Sequence, residues 1–224
     1  MNTELKEVKK LAEKVEGWLS DKEGRLLYNF AKKCTGKGVI VEIGSWKGKS
    51  TIWLAMGSKR GNRVKLYAVD PHTGSKEHKE IYGEVQTFEE FKKNIRDAGV
   101  EDIVIPVKRT SMEAAGEFNE PVELIFIDGA HEYELVKLDF ELWFPKVIEG
   151  GIMAFHDTTW GAGPGRVVKE SVYNSRNFKN AGFIDSTTFA RKVKENSLVD
   201  RFWNRSVLLL KGVYESTIPS QAKQ

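Results

Sequence analysis

The sequence predicts an α/β protein built on a largely parallel, doubly wound sheet with helices on both faces. Three observations carry that prediction. From Val39 onward, apolar runs of strand length alternate with helix-like segments. Those runs are close to continuously apolar, as strands covered on both faces must be. The chain has 224 residues, 40% hydrophobic and 11% aromatic, which suits a single domain with a substantial core and excludes whole-chain disorder.

The elements follow in order. Residues 4–19 place Leu5, Val8, Leu11, Val15, Trp18 and Leu19 at intervals of three to four, one apolar face of an amphipathic helix. Ser20 with Glu23 forms a capping box that opens a second helix through about Cys34, ended by Gly36 and Gly38. Five buried strands are read at VIVEI (39–43), RVKLYAVD (63–70), DIVIPV (102–107), VELIFID (122–128) and GIMAFHD (151–157). Helices are read between them at 48–58, at 87–98 with a Thr87/Glu90 capping box, at about 111–118, and at 132–144 ahead of Pro145. FIDSTTFARKV (183–193) and RFWNRSVLLLK (201–211) read as a final antiparallel strand pair, and 212–224 as a surface-lying tail. The expected division is a helical segment at 1–37 packed on the core, the α/β domain at 38–211, and the tail.

Composition narrows the partners. Lys and Arg number 35 against 32 Asp and Glu, a net +3 without a basic run free of interleaved acids, so nucleic acid is not an expected partner. No apolar stretch approaches a membrane span, and MNTELKEVKK lacks the unbroken apolar segment of a secretory signal, so no membrane partner and a cytoplasmic location are expected. A lone Cys34 supplies neither a disulfide nor a thiolate metal cluster.

Ligands of open α/β sheets bind beyond the carboxyl ends of the strands. Polar groups collect there: Glu42 to Ser50, Asp70-Pro71-His72, Arg109 to Met112, Asp128 to His131, and His156-Asp157. The first loop admits three readings. A dinucleotide fingerprint would need glycine where Trp46 stands. A phosphate-cradling loop needs four residues between its first glycine and Gly-Lys-Ser, and Gly44 and Gly48 leave three, although LIFID at 124–128 resembles the strand and Asp that hold magnesium in such NTPases. A loop around an adenosyl ligand without phosphates fits directly: Glu42 supplies negative charge, and Gly44 and Gly48 let the backbone approach. Asp70 then closes the second strand, where a carboxylate can accept both ribose hydroxyl protons.

With EIGSWKGKST, LYAVD, the Ser111 segment, FIDGAHEY and GGIMAFHDT in view, the chain resembles class I S-adenosylmethionine-dependent methyltransferases over residues 38–211. Within them it is most similar to the small-molecule branch of cephalosporin-hydroxylase-like and macrocin-type sugar O-methyltransferases. The glycine motif is widespread; its combination with the Asp128-Gly129 and His156-Asp157 segments is the specific feature. The resemblance implies a Rossmann-like sheet of order 3-2-1-4-5-7-6 with strand 7 antiparallel. It implies the methionine end of the cofactor on Glu42, Gly44, Ser45 and the Gly48 loop, the ribose on Asp70, and the adenine near Ser111 and Met112.

Strands four and five should be neighbours about 4.8 Å apart, so Asp128 converges with His156 and Asp157. In metal-dependent members of the resembling family, carboxylates at these places hold a divalent ion that binds substrate hydroxyls, which makes Asp128, His156 and Asp157 candidate metal ligands. His156 departs from the all-carboxylate pattern and suits zinc, manganese or iron better than magnesium. Alternatively Asp128 binds the cofactor amine. His131 is the candidate general base, with Asp128 and Asp157 as further candidate catalytic groups.

Residues 71–86 and GAGPG at 161–165 are candidate lids, with His78, Tyr82 and Trp160 as candidate acceptor-pocket residues and Arg166 as a contact for an anionic acceptor or ordinary surface. The expected activity is therefore O-methylation of a small-molecule hydroxyl. The alternatives are a magnesium-dependent NTPase and a non-catalytic adenosyl-binding module. The N-terminal helices either cover the cleft or offer a face for a homo-oligomer.

Overall fold

The computed structural model describes residues 3–74 and 83–218. Two helices lead: α1 (Thr3–Ala12) and α2 (Asp21–Lys33). The alternating segment then runs β1 (Val39–Ile43), α3 (Lys49–Arg60), β2 (Leu66–Val69), α4 (Phe88–Asp97), β3 (Val104–Val107), α5 (Ser111–Glu117), β4 (Val122–Ile127), α6 (Tyr133–Trp143) and β5 (Val147–Phe155). Helix α7 (Ala162–Val168), prolonged by a π-turn to Tyr173, precedes the hairpin β6 (Phe178–Ile184) and β7 (Thr187–Lys192), and α8 (Leu198–Thr217) closes the chain.

The seven strands form one sheet of order β3-β2-β1-β4-β5-β7-β6, parallel except where β7 runs antiparallel to both neighbours. Side-chain alternation divides the core between the faces. Ile40, Ala68, Phe126 and Ala154 join Val8, Leu27, Trp53 and Phe91 under α1 to α4. Val41, Ile125 and Phe155 point the other way, toward Trp143, Val172 and Val207.

The capping box at Ser20/Glu23 forms as predicted. Helix α2 crosses α3 closely, because Gly57 has no Cβ; one there would lie 2.3 Å from the Tyr28 carbonyl oxygen. Four expectations need correction. The first helix ends at Ala12 rather than 19, since the chain must turn to seat Val15 in the core and reach Ser20. Thr87 heads α4 without a side-chain cap, because its hydroxyl lies 3.0 Å from His72 Nδ1 instead.

The antiparallel pair is Phe178–Ile184 with Thr187–Lys192, so 183–193 holds the hairpin turn, with Asp185 at φ +49°. Residues 201–211 are helical: a Ser197/Asp200 capping box starts α8, which runs through the expected tail boundary to Thr217. The local run VLLL suits a strand, but the cap and the wider spacing of apolar residues select helix.

Candidate active site

The register of the parallel strands levels their carboxyl ends. Ile43 pairs with Val69 and Ile127, and Ile127 with Phe155. The next residues, Gly44, Asp70, Asp128 and His156, form a row, and their amides extend the ladder onto Val69, Val107, Ile43 and Ile127 carbonyls. By the period of two, Glu42, Asp70, Asp128 and His156 share the face covered by α2 and α3.

The half at β1 and β2 is built largely from backbone. Gly44 lies at φ +84°, and a Cβ there would stand 2.2 Å from the Asp128 carbonyl oxygen. Glu42 is fully buried beneath this loop; one oxygen accepts from the Thr51 hydroxyl, while among the described residues Oε1 and the buried Ser45 hydroxyl lack hydrogen-bond partners. Burial pushes the Glu42 carboxyl up to about 8 against the Ser50 and Thr51 hydroxyls, and the charges of Asp128 and Asp70 push the same way.

Asp70 ties two loops together, its Oδ2 accepting from the Trp46 amide at 2.7 Å and its Oδ1 from the His72 amide at 2.6 Å. Each oxygen keeps a second lone pair for a ligand hydroxyl. Trp46, His72 and Asp157 are all left-handed (φ +46°, +58° and +54°), so strained non-glycine residues mark three strand tips.

Ser111 is the first helical residue of α5; the N-cap is Thr110, in a capping box with Glu113. The Ser111 hydroxyl accepts from Trp143 Nε1 at 2.9 Å and also bonds Asp139, whose carboxyl burial raises to about 6. That hydroxyl is therefore engaged within the protein, and the neighbouring Met112 is exposed.

Side chains build the other half. His156, buried, points Nδ1 at Asp128 Oδ1 (3.0 Å) and Asp157 Oδ2 (3.3 Å), with Nε2 3.5 Å from Glu23 Oε1. Burial alone would discharge the imidazole, but the charge of Asp128 and contacts with Asp128, Asp157 and Glu23 hold its pKa well above the ordinary value. His131, half-exposed, places Nε2 3.0 Å from Asp157 Oδ2. Burial opposes ionisation of Asp157, but hydrogen bonds from His131 and His156 outweigh it and hold its carboxyl below the usual range.

Glu23 was legible only as a helix cap, yet it closes this cluster. Its Oε1 accepts from the Ser186 amide and hydroxyl and the Thr187 hydroxyl at 2.8–3.0 Å, and its Oε2 from the Ser20 amide. Burial is overcome by His156 and these donors, which bring its carboxyl down to about 2. Asp139 was also missed; its signal was an acid on the apolar stripe Val136, Phe140, Trp143.

The donor set admits a metal ion. Nδ1 of His156 and carboxylate oxygens of Asp128 and Asp157 lie within 4.8 Å of one another. The 3.0 and 3.3 Å separations match adjacent corners of a coordination shell with bonds of about 2.1 Å, and a carboxylate facing the far nitrogen of a ligating histidine is the usual outer support.

Other predicted residues go elsewhere. Lys49 Nζ donates to the Gly17 carbonyl at 2.8 Å, and Lys47 pairs with Glu16 and Glu90, so neither faces a phosphate site and the NTPase reading loses its cation. GAGPG is the start of α7, its Gly163 packed on the His131 carbonyl, rather than a lid. Arg166 stacks on Tyr133 and pairs with Glu170. His78 and Tyr82 lie outside the described residues. Among the described residues, no helix is long and apolar enough to cross a membrane.

Comparison with known proteins gives a concordant picture. A family profile described as a methyltransferase domain matches residues 41–158. The uncharacterized protein y4gI of Sinorhizobium fredii is 31% identical over 121 residues, 53% of this chain and 13% of that protein. The chain spans no more than half the length of the curated relatives it matches. The O-methyltransferase NovP superposes with a TM-score of 0.67 at 16% identity, over 79% of this chain and 81% of its own. The O-methyltransferase TomG of Streptomyces achromogenes, involved in tomaymycin synthesis and solved with SAM, gives 0.60 at 17% identity over 86% and 91%. At these identities the structural likeness speaks for the fold.

Proposed function

The chain belongs to the methyltransferase-domain family, and we propose that it is an S-adenosylmethionine-dependent enzyme methylating a hydroxyl of a small molecule such as a sugar or natural-product-like alcohol. The observation that carries this reading is the pair of buried polar atoms without partners, Glu42 Oε1 and Ser45 Oγ, beneath the Gly44 loop and beside Asp70. An ammonium group satisfies both atoms and restores the charge of Glu42. Gly44 and Gly48, at φ +84° and +98°, take the left-handed turns that shape the loop over these atoms, Asp70 offers its remaining lone pairs to the ribose hydroxyls, and the start of α5 at Ser111 and Met112 borders the adenine.

When bound, S-adenosylmethionine supplies an electrophilic methyl group. The protein's share is orientation and proton removal. His131, its Nε2 3.0 Å from Asp157 Oδ2, takes the acceptor's proton as its oxygen attacks, and Asp157 orients the imidazole. Asp128 and His156 hold Asp157 and its surroundings at the tip of β5. The same three residues, Asp128, His156 and Asp157, would hold a divalent ion that acidifies a substrate hydroxyl. Manganese, iron or zinc suits this mixed donor set. We read residues 1–37 as part of one catalytic unit with 38–211, because Glu23 reaches the cluster; α8 extends that unit beyond residue 211.

Calorimetry tests the cofactor reading: S-adenosylhomocysteine should bind, and ATP with magnesium should not. The reverse result would overturn it. Turnover on an acceptor panel of alcohols, before and after chelation and metal restoration, tests catalysis and the ion; cofactor binding without turnover on any acceptor would favour a non-catalytic module.

A further inference from the structure

Helix α8 has two unlike faces. One is seated on the protein: Asn204 bonds the Ala181 amide and Phe178 carbonyl, Val207 enters the core, and buried Lys211 donates to the Thr158 carbonyl at 2.6 Å. The opposite face carries Leu198 and Val199, then Phe202 and Trp203, then Leu209, Leu210 and Val213, each 54–77% exposed. At about 100° per residue, these seven span an arc of about 140° in which the sequence places only Ser206, Ser216 and Thr217 besides, and no charge.

Hydrogen bonds at the seated face fix this orientation. Trp203 Nε1 also donates to the Ala181 carbonyl, which anchors the edge of the apolar arc. With each of the seven side chains still exposing roughly 100 Å², the patch approaches ~700 Å². That exceeds the ~300–600 Å² of the largest patch on an ordinary monomer and nearly equals the ~800 Å² each partner contributes to a standard interface.

We propose that this face of α8 is a homodimer interface, in which two copies pair their α8 helices antiparallel about a two-fold axis at Ser206. The sequence is self-complementary in that arrangement. The aromatic half, Phe202 and Trp203, meets the aliphatic half, Leu210 and Leu209, of the second copy, and Val199 meets Val213, while the small Ser206 lies at the axis where the two helices approach most closely. A two-fold contact requires such reciprocity, because a residue that faces a second residue of the other copy must in turn be faced by that residue's own copy of it. The antiparallel arrangement also sets opposite helix ends side by side, which their dipoles favour. Through Lys211 and Thr158, the interface lies one helix away from His156 and Asp157.

Sedimentation and light scattering across the micromolar range should give twice the chain mass. Leu210→Glu should raise the dissociation constant at least a hundredfold with unchanged circular dichroism. Should that variant fail to fold, cross-linking decides, since the native Cys34 is buried. Mixing Val199→Cys with Val213→Cys under oxidation should yield a disulfide-linked heterodimer, and neither variant alone should cross-link. A wild-type monomer throughout, including one that instead binds phosphatidylglycerol vesicles, or homodimer cross-links of either single variant, would overturn the proposal.

Discussion

Glu42 and Glu23 are both buried acids on the same face of the sheet, one in each half of the cleft, yet their carboxyls move in opposite directions. Glu42 is pushed up to about 8, while Glu23 is brought down to about 2. Burial raises both; the difference is in what surrounds them. Among the described residues, Glu42 has hydroxyl donors, no ion-pair partner and an oxygen without a hydrogen bond. Glu23 has the His156 imidazole and four donors from two further segments of the chain, Ser20 and Ser186-Thr187. The half at β1 and β2 is thus incomplete in charge and suited to receive a cationic ligand. The half at β4 and β5 has its counter-charge built in and is suited to hold reacting groups in place.

Substitutions can break or sharpen this contrast. The largest effect is expected for Asp157→Ala, which removes the group orienting His131: kcat should fall about a thousandfold while S-adenosylhomocysteine affinity stays near wild type. Steady-state kinetics beside calorimetry checks this, and an equal loss in both would merge the two halves. His131→Ala should show the same pattern more weakly.

Next comes Glu23→Ala, which removes the carboxylate facing His156 Nε2 and leaves the Ser186 and Thr187 donors without their acceptor. Denaturant titration should show a loss of about 3–4 kcal/mol. A loss below about 1 kcal/mol would mean that the charge of His156 is satisfied without Glu23.

Asp70→Ala should weaken S-adenosylhomocysteine binding about 30- to 100-fold by removing the bidentate acceptor, with little effect on residual acceptor affinity. Glu42→Gln should cost about tenfold in cofactor affinity. It also carries a pH signature. A folded value near 8 against an ordinary 4.5 means the native state retains a proton that the unfolded chain releases, so wild-type stability falls as pH rises from about 4.5 through 8. The glutamine variant lacks that slope, so its melting temperature should gain on wild type across this window and run parallel to it above. The smallest effect is expected for Lys49→Ala, under about 1 kcal/mol in stability and none in cofactor binding, because its ammonium is committed to the Gly17 carbonyl.

Legibility in the sequence followed the same division. The Gly44 loop and Asp70 could be read directly, because a glycine-rich turn after an apolar run and an acid at the next strand end are local patterns whose geometry the strands enforce. The clustering of Asp128, His156 and Asp157 was legible once β4 and β5 were taken as neighbours. Glu23 was not, because its helix cap fully accounts for it locally and the 132 residues between it and His156 carry no signal of contact. Helix α8 was hidden for a related reason: a short apolar run fits a strand or a helix, and the Ser197/Asp200 cap that selects helix lies outside the run itself.

By itself, then, the sequence determined the alternation of strands and helices, the polar residues at the strand ends and the loop chemistry at β1 and β2, all of which arise from periodicity and steric limits acting over a few residues. Only the tertiary structure decided the partners of those residues: that Glu23 closes the cluster at His156, that Lys49 turns from the cleft, and that α8 leaves an apolar face outward. Hydrogen bonds, burial and charge depend on distance in space, and folding brings together groups whose separation along the chain carries no record of that proximity.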